Sequence, residues 1–416
     1  MMKRRVVITG LGAVSPFGVG VDKLWNSLVE GKSGISTSES IDISKHVVKI
    51  SGEVKDFDPE QYLDPKEAKR MDRFIQFAMV AADEAIADAR LAEVNDVDPY
   101  RIGVMVSSAA GGFRTFEENH VRILEKGPNK CSPFTIPMMI VNMPSGRISI
   151  KYGYKGVNKV VVSACATGTH TIGDAFRTIQ YGDADIVVAG GTEATICDVG
   201  IGAFASARTL SHRNDEPEKA SRPFDKDRDG FVMSEGAGVL VLEEYEHAKK
   251  RGAKIYAEIA GYGQTADAYD VVAPCPDGKG ATKSMEFALM DAGLKTGDIQ
   301  YINAHGTSTG LGDIAESNAI ERLFGNKQQN PNLRVSSTKS MHGHVLGATG
   351  AIEAIACVKT INENIVPPTI NLDNQDEKVG DLNYVPHKAQ KAEVHAALSN
   401  SFGFGGQNAS LVFKEI

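Results

Sequence analysis

A chain of 416 residues, 42% hydrophobic and 24% charged, has enough apolar material for a large core of two domains or two fused halves, which excludes a disordered or fibrous polymer. A formal net charge of −8 and the lack of any long apolar run argue against a general nucleic-acid binder and against a membrane span. The five cysteines (Cys131, Cys165, Cys197, Cys275 and Cys357) are widely spaced with no C-x-x-C pair, so a reducing, cytoplasmic setting is expected rather than a disulfide framework.

In chain order, "MMKRRVVITGLGAVS" enters a β-branched run at once, which predicts a first strand and leaves no room for a signal peptide. "GLGAVS" hints at a dinucleotide fingerprint, but Ser15 stands at the third glycine and Pro16 follows, so no nicotinamide cofactor is expected. The basic stretch "PKEAKRMDRF" gathers Lys66, Lys69, Arg70 and Arg73. "DEAIADARL" reads as a helix leading into the strand and small-residue loop of "YRIGVMVSSAAGG". Valines 160 to 162 predict a buried strand, and Ile172, Ala175, Phe176 and Ile179 share one face of a following helix. "DKDRDG" copies half a calcium loop, but Gly236 occupies the position of the essential glutamate, so a turn-rich loop is expected. "EGAGVLVLEEYE" is a Gly-rich loop entering a strand, and "YEHAKKRGA" a helix.

From about residue 256 this order returns. "AEIAGYGQTAD" matches the opening strand, "MEFALMDAGL" with "IQYINAHGTSTG" matches the helix and strand, and "NLRVSSTKSMHGHVLGATGAIEAIA" matches "NKVVVSACATGTHTIGDAF". "GFGGQNASLVFKE" matches "EGAGVLVLEEYE". A duplicated α/β unit, residues 1–255 and 256–416, is therefore expected, with loops of both halves meeting at one seam.

Cys165 falls where the predicted strand meets the predicted helix. Helix N-terminal amides and the dipole would lower its pKa and favour a nucleophilic thiolate; on this stretch alone, a small residue packed in a tight turn fits equally well. The seam would bring His305 and His344 beside it. A thiol can carry an acyl group as a thioester, and two imidazoles can stabilise charge developing on a carbonyl oxygen, with backbone N–H groups at Cys165 and Phe404 as an oxyanion hole. "HGH" lacks a helix-spaced ligand pair or nearby cysteines, so no metal is expected. His170 is expected to pack in the helix with a structural hydrogen bond.

"SACATGTHTIGDAF", "SRPFDKDRDGFVMSEGAG", "NAHGTST", "STKSMHGHVLGATGA" and "NSFGFGGQN", in this order and spacing, closely resemble the β-ketoacyl-acyl carrier protein synthases of the thiolase superfamily, most nearly their synthase II branch in bacterial fatty acid synthesis. The resemblance runs nearly end to end and implies an α/β, thiolase-like five-layered αβαβα core from two duplicated halves, usually a homodimer. It implies that Cys165 accepts the acyl group, that His305 and His344 assist malonyl decarboxylation, and that Lys339 with Glu353 orders the histidines. Phe404 would be a gate braced by Phe402. Thr307, Thr309 and Val272 would border the pantetheine channel, and Ala110 and Phe204 the acyl pocket. Lys66, Lys69, Arg70, Lys130 and Arg208 would dock the acidic acyl carrier protein in its acyl and malonyl forms. No separate cofactor is implied, since the phosphopantetheine arm arrives on the carrier.

Several positions depart from the resemblance: Ala110 where a bulky apolar residue is usual, Val272 and Ala273 in place of hydroxyl residues, and His342 and Gln407 in place of threonines. The smaller Ala110 implies room for longer or branched acyl groups. These departures leave a specialised polyketide or unusual-lipid ketosynthase open as an alternative. A non-catalytic chain-length partner is opposed by Cys165, and a thiol hydrolase by the lack of an evident water-activating carboxylate near "SACATG".

Overall fold

The structure is a computed structural model that describes residues 3–94 and 97–416. The first half contributes strands β1 (Val6–Ser15), β2 (Ile102–Ser107), β3 (Ile186–Glu193) and β4 (Gly236–Glu244). The second contributes β5 (Ala257–Ala266), β6 (Tyr301–Asn303), β7 (Arg334–Ser336), β8 (Ala396–Gly403) and β9 (Gln407–Lys414). The strands pair in the order β7-β6-β8-β9-β5-β1-β4-β3-β2. Antiparallel pairing of β1 with β5, from Val6 opposite Ile259 to Ile8 opposite Ala257, joins the halves. Outward from that seam the two sides repeat: β4 lies antiparallel on β1 as β9 does on β5, then β3 and β8 follow antiparallel, then β2 and β6 parallel.

The repeat is incomplete at one edge. In the second half β7 pairs with β6; at the corresponding place in the first half, valines 160–162 form no ladder, and the segment is attached to β2 by a bridge from Asn158 to Val104 and a bond from the Val161 N–H to Ser107 Oγ at 3.2 Å. The expectation of a buried strand there is therefore corrected. Val162 is 51% exposed, and with no neighbour on its outer side the segment's β-branched residues have no second ladder to complete.

Five helices complete the layers: α1 (Arg73–Asp88), α2 (Thr167–Gln180), α3 (Lys279–Ala292), α4 (Gly312–Phe324) and α5 (Thr349–Glu363). Alternation along the strands shows which faces they cover. Val187, Ala189, Leu240 and Leu242 point inward with Leu411 and Phe413 onto Ile172, Ala175 and Phe176 of α2 and Ile352 and Ile355 of α5. Ile186, Val188, Val239 and Val241 face outward onto Phe74, Ala78 and Ala82 of α1. In the second half Leu398 and Val412 face outward onto Met285 and Ala288 of α3 and Ile320 of α4. The core is thus α/β with five layers, αβαβα, and α2 and α5 form its middle layer. Gly10 and Gly12 serve this packing rather than a cofactor loop: a Cβ at either would lie 2.2 Å from the Ala85 carbonyl oxygen or 1.9 Å from that of Ala81 on α1.

Candidate active site

The middle layer begins at the thiol. Ala164 takes a positive φ of 50°, a strained conformation for a residue with a Cβ, and this turns the chain through Ala164–Ala166 into α2. The Ser163 N–H donates to Thr167 Oγ1 at 2.9 Å, and Ser163 Oγ pairs with His170 Nδ1 at 2.6 Å, the structural bond expected of His170. Cys165 is left 9% exposed. Gly403, at the end of β8, packs so close that a Cβ there would meet the Ser163 carbonyl oxygen at 2.6 Å and the Cys165 nitrogen at 3.2 Å. That approach brings the Phe404 loop to the sulfur.

The expectation of a lowered thiol pKa is overturned. Burial pushes Cys165 up to about 11, outweighing the Lys339 charge and the backbone N–H groups of Phe404 and Cys165, which act in the opposite sense. The helix terminus is present, but desolvation is the largest influence on the thiol. At neutral pH the resting group is the thiol.

His305 follows β6, on a loop whose backbone is held by carboxylates from the start of α4. The N–H groups of His305 and Gly306 each donate to Glu316 at 2.7 Å, and that of Ser308 donates to Asp313 at 3.1 Å. Arg228 closes the loop from the other side, donating to the carbonyls of Thr309 at 3.0 Å and Gly310 at 2.8 Å. His344 lies 5.4 Å from His305 between ring centroids, nearly perpendicular at 87°. Its Nδ1 pairs with Thr349 Oγ1 at 3.0 Å, at the first residue of α5. Nδ1 of His305 and Nε2 of His344 are buried without a hydrogen-bond partner. Burial, with the Lys339 charge second, holds both imidazoles well below their usual pKa. Both are neutral at physiological pH.

Lys339 and Glu353 form a buried ion pair behind the histidines. Burial pushes the Glu353 carboxyl up while Lys339 opposes it. His342 is the bystander of "HGH": its Nδ1 bonds the Gly343 carbonyl at 2.7 Å and its Nε2 bonds Thr338 Oγ1 at 3.0 Å, so neither nitrogen is available to the site.

Cys165, His305 and His344 open on one cavity of about 820 Å3, mouth included, lined also by Phe204, Val272, Ala273, Thr307, Thr309, Phe402 and Phe404. The hydroxyls of Thr307 and Thr309 lie 3.0 Å apart along it. The Phe402 ring is 5.8 Å from His305, and the Phe404 ring is 6.3 Å from Phe204. Ala110 is not among the lining residues; its N–H donates to Glu193 at 3.3 Å. Lys66, Lys69, Arg70, Lys130 and Arg208 are exposed. Of these, Arg208 adjoins Thr209 of the cavity wall, and Arg70 stacks over Phe134 at 4.8 Å. Asp225 of "DKDRDG" is occupied within the fold, accepting from Arg222 at 3.0 Å and from the Asp227, Asp373 and Asn374 N–H groups at 2.9, 2.9 and 2.7 Å.

Sequence reasoning missed Glu316, Asp313, Arg228 and Glu193. The acidic residues of "GDIAES", three apart at the start of a helix just after "HGTST", were the available signal for the first two.

Family models described as the N-terminal and C-terminal domains of β-ketoacyl synthase match residues 3–248 and 256–373, and the chain belongs to the β-ketoacyl synthase family. Among curated relatives, the 3-oxoacyl-[acyl-carrier-protein] synthase 2 of Synechocystis sp. is 53% identical over 413 residues, covering 99% of this chain and 98% of the relative. The protein of the same name from Vibrio cholerae is 51% identical over 417 residues, covering all of both. Among solved structures, a chain from the complex of a type II polyketide acyl-carrier protein with its ketosynthase superposes with a TM-score of 0.92 at 36% identity, covering all of both chains.

Proposed function

We propose that the chain is a 3-oxoacyl-acyl carrier protein synthase of fatty acid elongation, in which Cys165 carries the acyl group and His305 and His344 serve the decarboxylative half of a Claisen condensation. In the first half-reaction the Cys165 sulfur attacks the acyl thioester of the carrier's phosphopantetheine arm. The new S–C bond replaces the old one, and the proton of the thiol leaves with the pantetheine sulfur. The N–H groups of Cys165 and Phe404 receive the charge on the thioester oxygen. In the second, malonyl carrier loses its carboxylate, the electron pair of the broken C–C bond becomes an enolate, and its carbon attacks the Cys165 thioester. A β-ketoacyl carrier two carbons longer results, and the Cys165 sulfur is released and reprotonated.

The observation that carries this reading is a buried thiol sharing one cavity with two neutral imidazoles, each of which keeps one buried nitrogen, His305 Nδ1 and His344 Nε2, without a partner. A neutral imidazole donates a hydrogen bond to an enolate oxygen without bringing a second cation beside Lys339. A Thr349 hydroxyl that donates to Nδ1 would put the His344 proton on Nε2, the unpartnered nitrogen. Lys339 and Glu353 order the pair, Thr307 and Thr309 hydrogen-bond the pantetheine arm, and Phe402 and Phe404 brace and gate the thiol. The relatives at 51–53% identity carry the name 3-oxoacyl-[acyl-carrier-protein] synthase 2 while the polyketide complex stands at 36%, which favours primary elongation over a specialised pathway.

In this reading the substrates ride on acyl carrier protein, which Lys66, Lys69, Arg70, Lys130 and Arg208 steer to the mouth, and no prosthetic group is bound. Residues 1–255 and 256–416 are its two halves. The assembly is a homodimer joined at the edge near Val162, exposed in the single chain, and it works in the cytoplasm; among the described residues no helix is long and apolar enough to cross a membrane.

The test is intact-mass spectrometry of the protein mixed with acyl carriers of several chain lengths, then with malonyl carrier. An acyl adduct on Cys165 that discharges only with malonyl carrier, yielding a β-ketoacyl product, is expected. Adducts that discharge into water without malonyl carrier would overturn it in favour of hydrolysis.

A further inference from the structure

Glu193, the last residue of β3, is a buried carboxylate with no part in the chemistry above. Its side chain accepts four hydrogen bonds from two different halves of the chain. Oε1 takes Ser108 Oγ at 2.7 Å and the Ala110 N–H at 3.3 Å, and Oε2 takes the Ala109 N–H at 3.0 Å and the Gly347 N–H at 3.0 Å. The first three belong to the loop after β2. The fourth belongs to the turn Leu346–Ala348, which runs from His344 into α5.

That turn decides where the His344 ring points. The backbone of His344 is fixed independently, its N–H on the Val232 carbonyl at 2.8 Å and its carbonyl receiving the Ser234 N–H at 2.9 Å. The ring is held through Nδ1 by Thr349, two residues beyond Gly347. Leu346 has a positive φ of 46°, so the turn needs outside support to persist. Support comes from both sides of the Gly347 peptides. Its carbonyl oxygen lies so near Gly168 and Gly191 that a Cβ on either would approach to 2.9 or 2.6 Å, and its N–H is on Glu193. A carboxylate taken fully out of water is costly unless such donors surround it, and burial still pushes this one up to about 6.

The geometry points to Glu193 as a positioning residue that, through Gly347 and Thr349, aims the His344 ring and couples that aim to the loop at Ala109 and Ala110. The inference deepens the condensing reading above and rests on it for its kinetic arm. Glu193→Gln keeps the size but removes the charge that all four donors share and turns one oxygen into an NH2 group, so the anchors of the loop and of the turn are weakened together. Ser108→Ala removes a donor on the loop side alone and leaves Gly347 bonded.

The experiment uses the full-length protein with 13C-labelled histidine, the His344 ring signal being the one lost in His344→Ala. In Glu193→Gln that signal is expected to move, and kcat for condensation to fall by about tenfold, while KM for malonyl carrier stays at the parental value and acyl loading of Cys165, whose pKa the Glu193 charge raises, does not slow. Ser108→Ala should leave the signal in place. An unmoved signal in Glu193→Gln, or an equal displacement in Ser108→Ala, would overturn the assignment. Should the amide variant fail to fold, Glu193→Asp, which keeps the charge on a shorter stem, is read in the same two ways. If the parental protein does not turn over malonyl carrier, the condensing reading falls, while the ring signal still decides the role of Glu193.

Discussion

Glu316 supports the His305 loop as a fully buried carboxylate, and replacing it by glutamine tests that arrangement through pH. It accepts the N–H groups of His305 and Gly306 and, at 3.3 Å, the amide of Asn400. Burial raises its pKa from 4.5 to about 7, against the pull of those donors and of Lys339. Between these values the folded protein holds a proton that the unfolded chain has released. Stability from this group is therefore fully present below the unfolded pKa and is lost as pH rises through the folded one. At about 1.4 kcal/mol for each pH unit separating the two, the loss is on the order of 3 kcal/mol. Glu316→Gln has no such titration. Urea unfolding of both proteins at pH ~5 and pH ~8 should show the parent losing ~3 kcal/mol relative to the variant as pH rises. All other titrating groups are common to the two proteins, so they largely cancel. A difference that stays constant over this range would refute the claim that Glu316 is protonated in the folded state at mildly acidic pH.

Cys165→Ala should abolish the acyl adduct in intact-mass spectra while malonyl carrier is still decarboxylated, because both imidazoles remain; loss of both activities would assign the cysteine to the decarboxylating site as well. Lys339→Met leaves Glu353 buried without its partner and should destabilise by about 3–5 kcal/mol in urea, whereas Lys339→Met with Glu353→Leu should regain most of the stability without regaining condensation. Reversing the exposed charges in Lys66→Glu with Arg70→Glu should raise KM for the carrier at low salt and leave kcat unchanged, with the difference shrinking as salt screens the encounter; a salt-independent KM would remove these residues from the docking surface.

What the sequence disclosed divides along a physical line. The thiol turn, the two histidines and the duplicated order of elements sit in runs whose spacing carries their meaning locally; Cys165, His305 and His344 meet in one cavity, while the Lys339–Glu353 pair, which the family resemblance supplied, lies buried outside its lining. Glu193 was silent because its partners are mostly backbone N–H groups, which have no residue type to read, and Gly347 lies 154 positions away; Glu316 and Asp313 left only their three-residue spacing in "GDIAES" as a sign. Valines 160–162 have strand propensity, but a ladder needs a neighbour on the right edge, and propensity does not supply one. Cys165 gives the sharper lesson. The helix terminus that favours a thiolate is where sequence placed it, yet the packing that brings Gly403 against the turn also removes water from the sulfur, and desolvation decides which way the pKa moves. A thiol held protonated suits a residue that must wait for its acyl donor: it stays a poor nucleophile toward whatever else enters, and the proton departs in the step that forms the thioester.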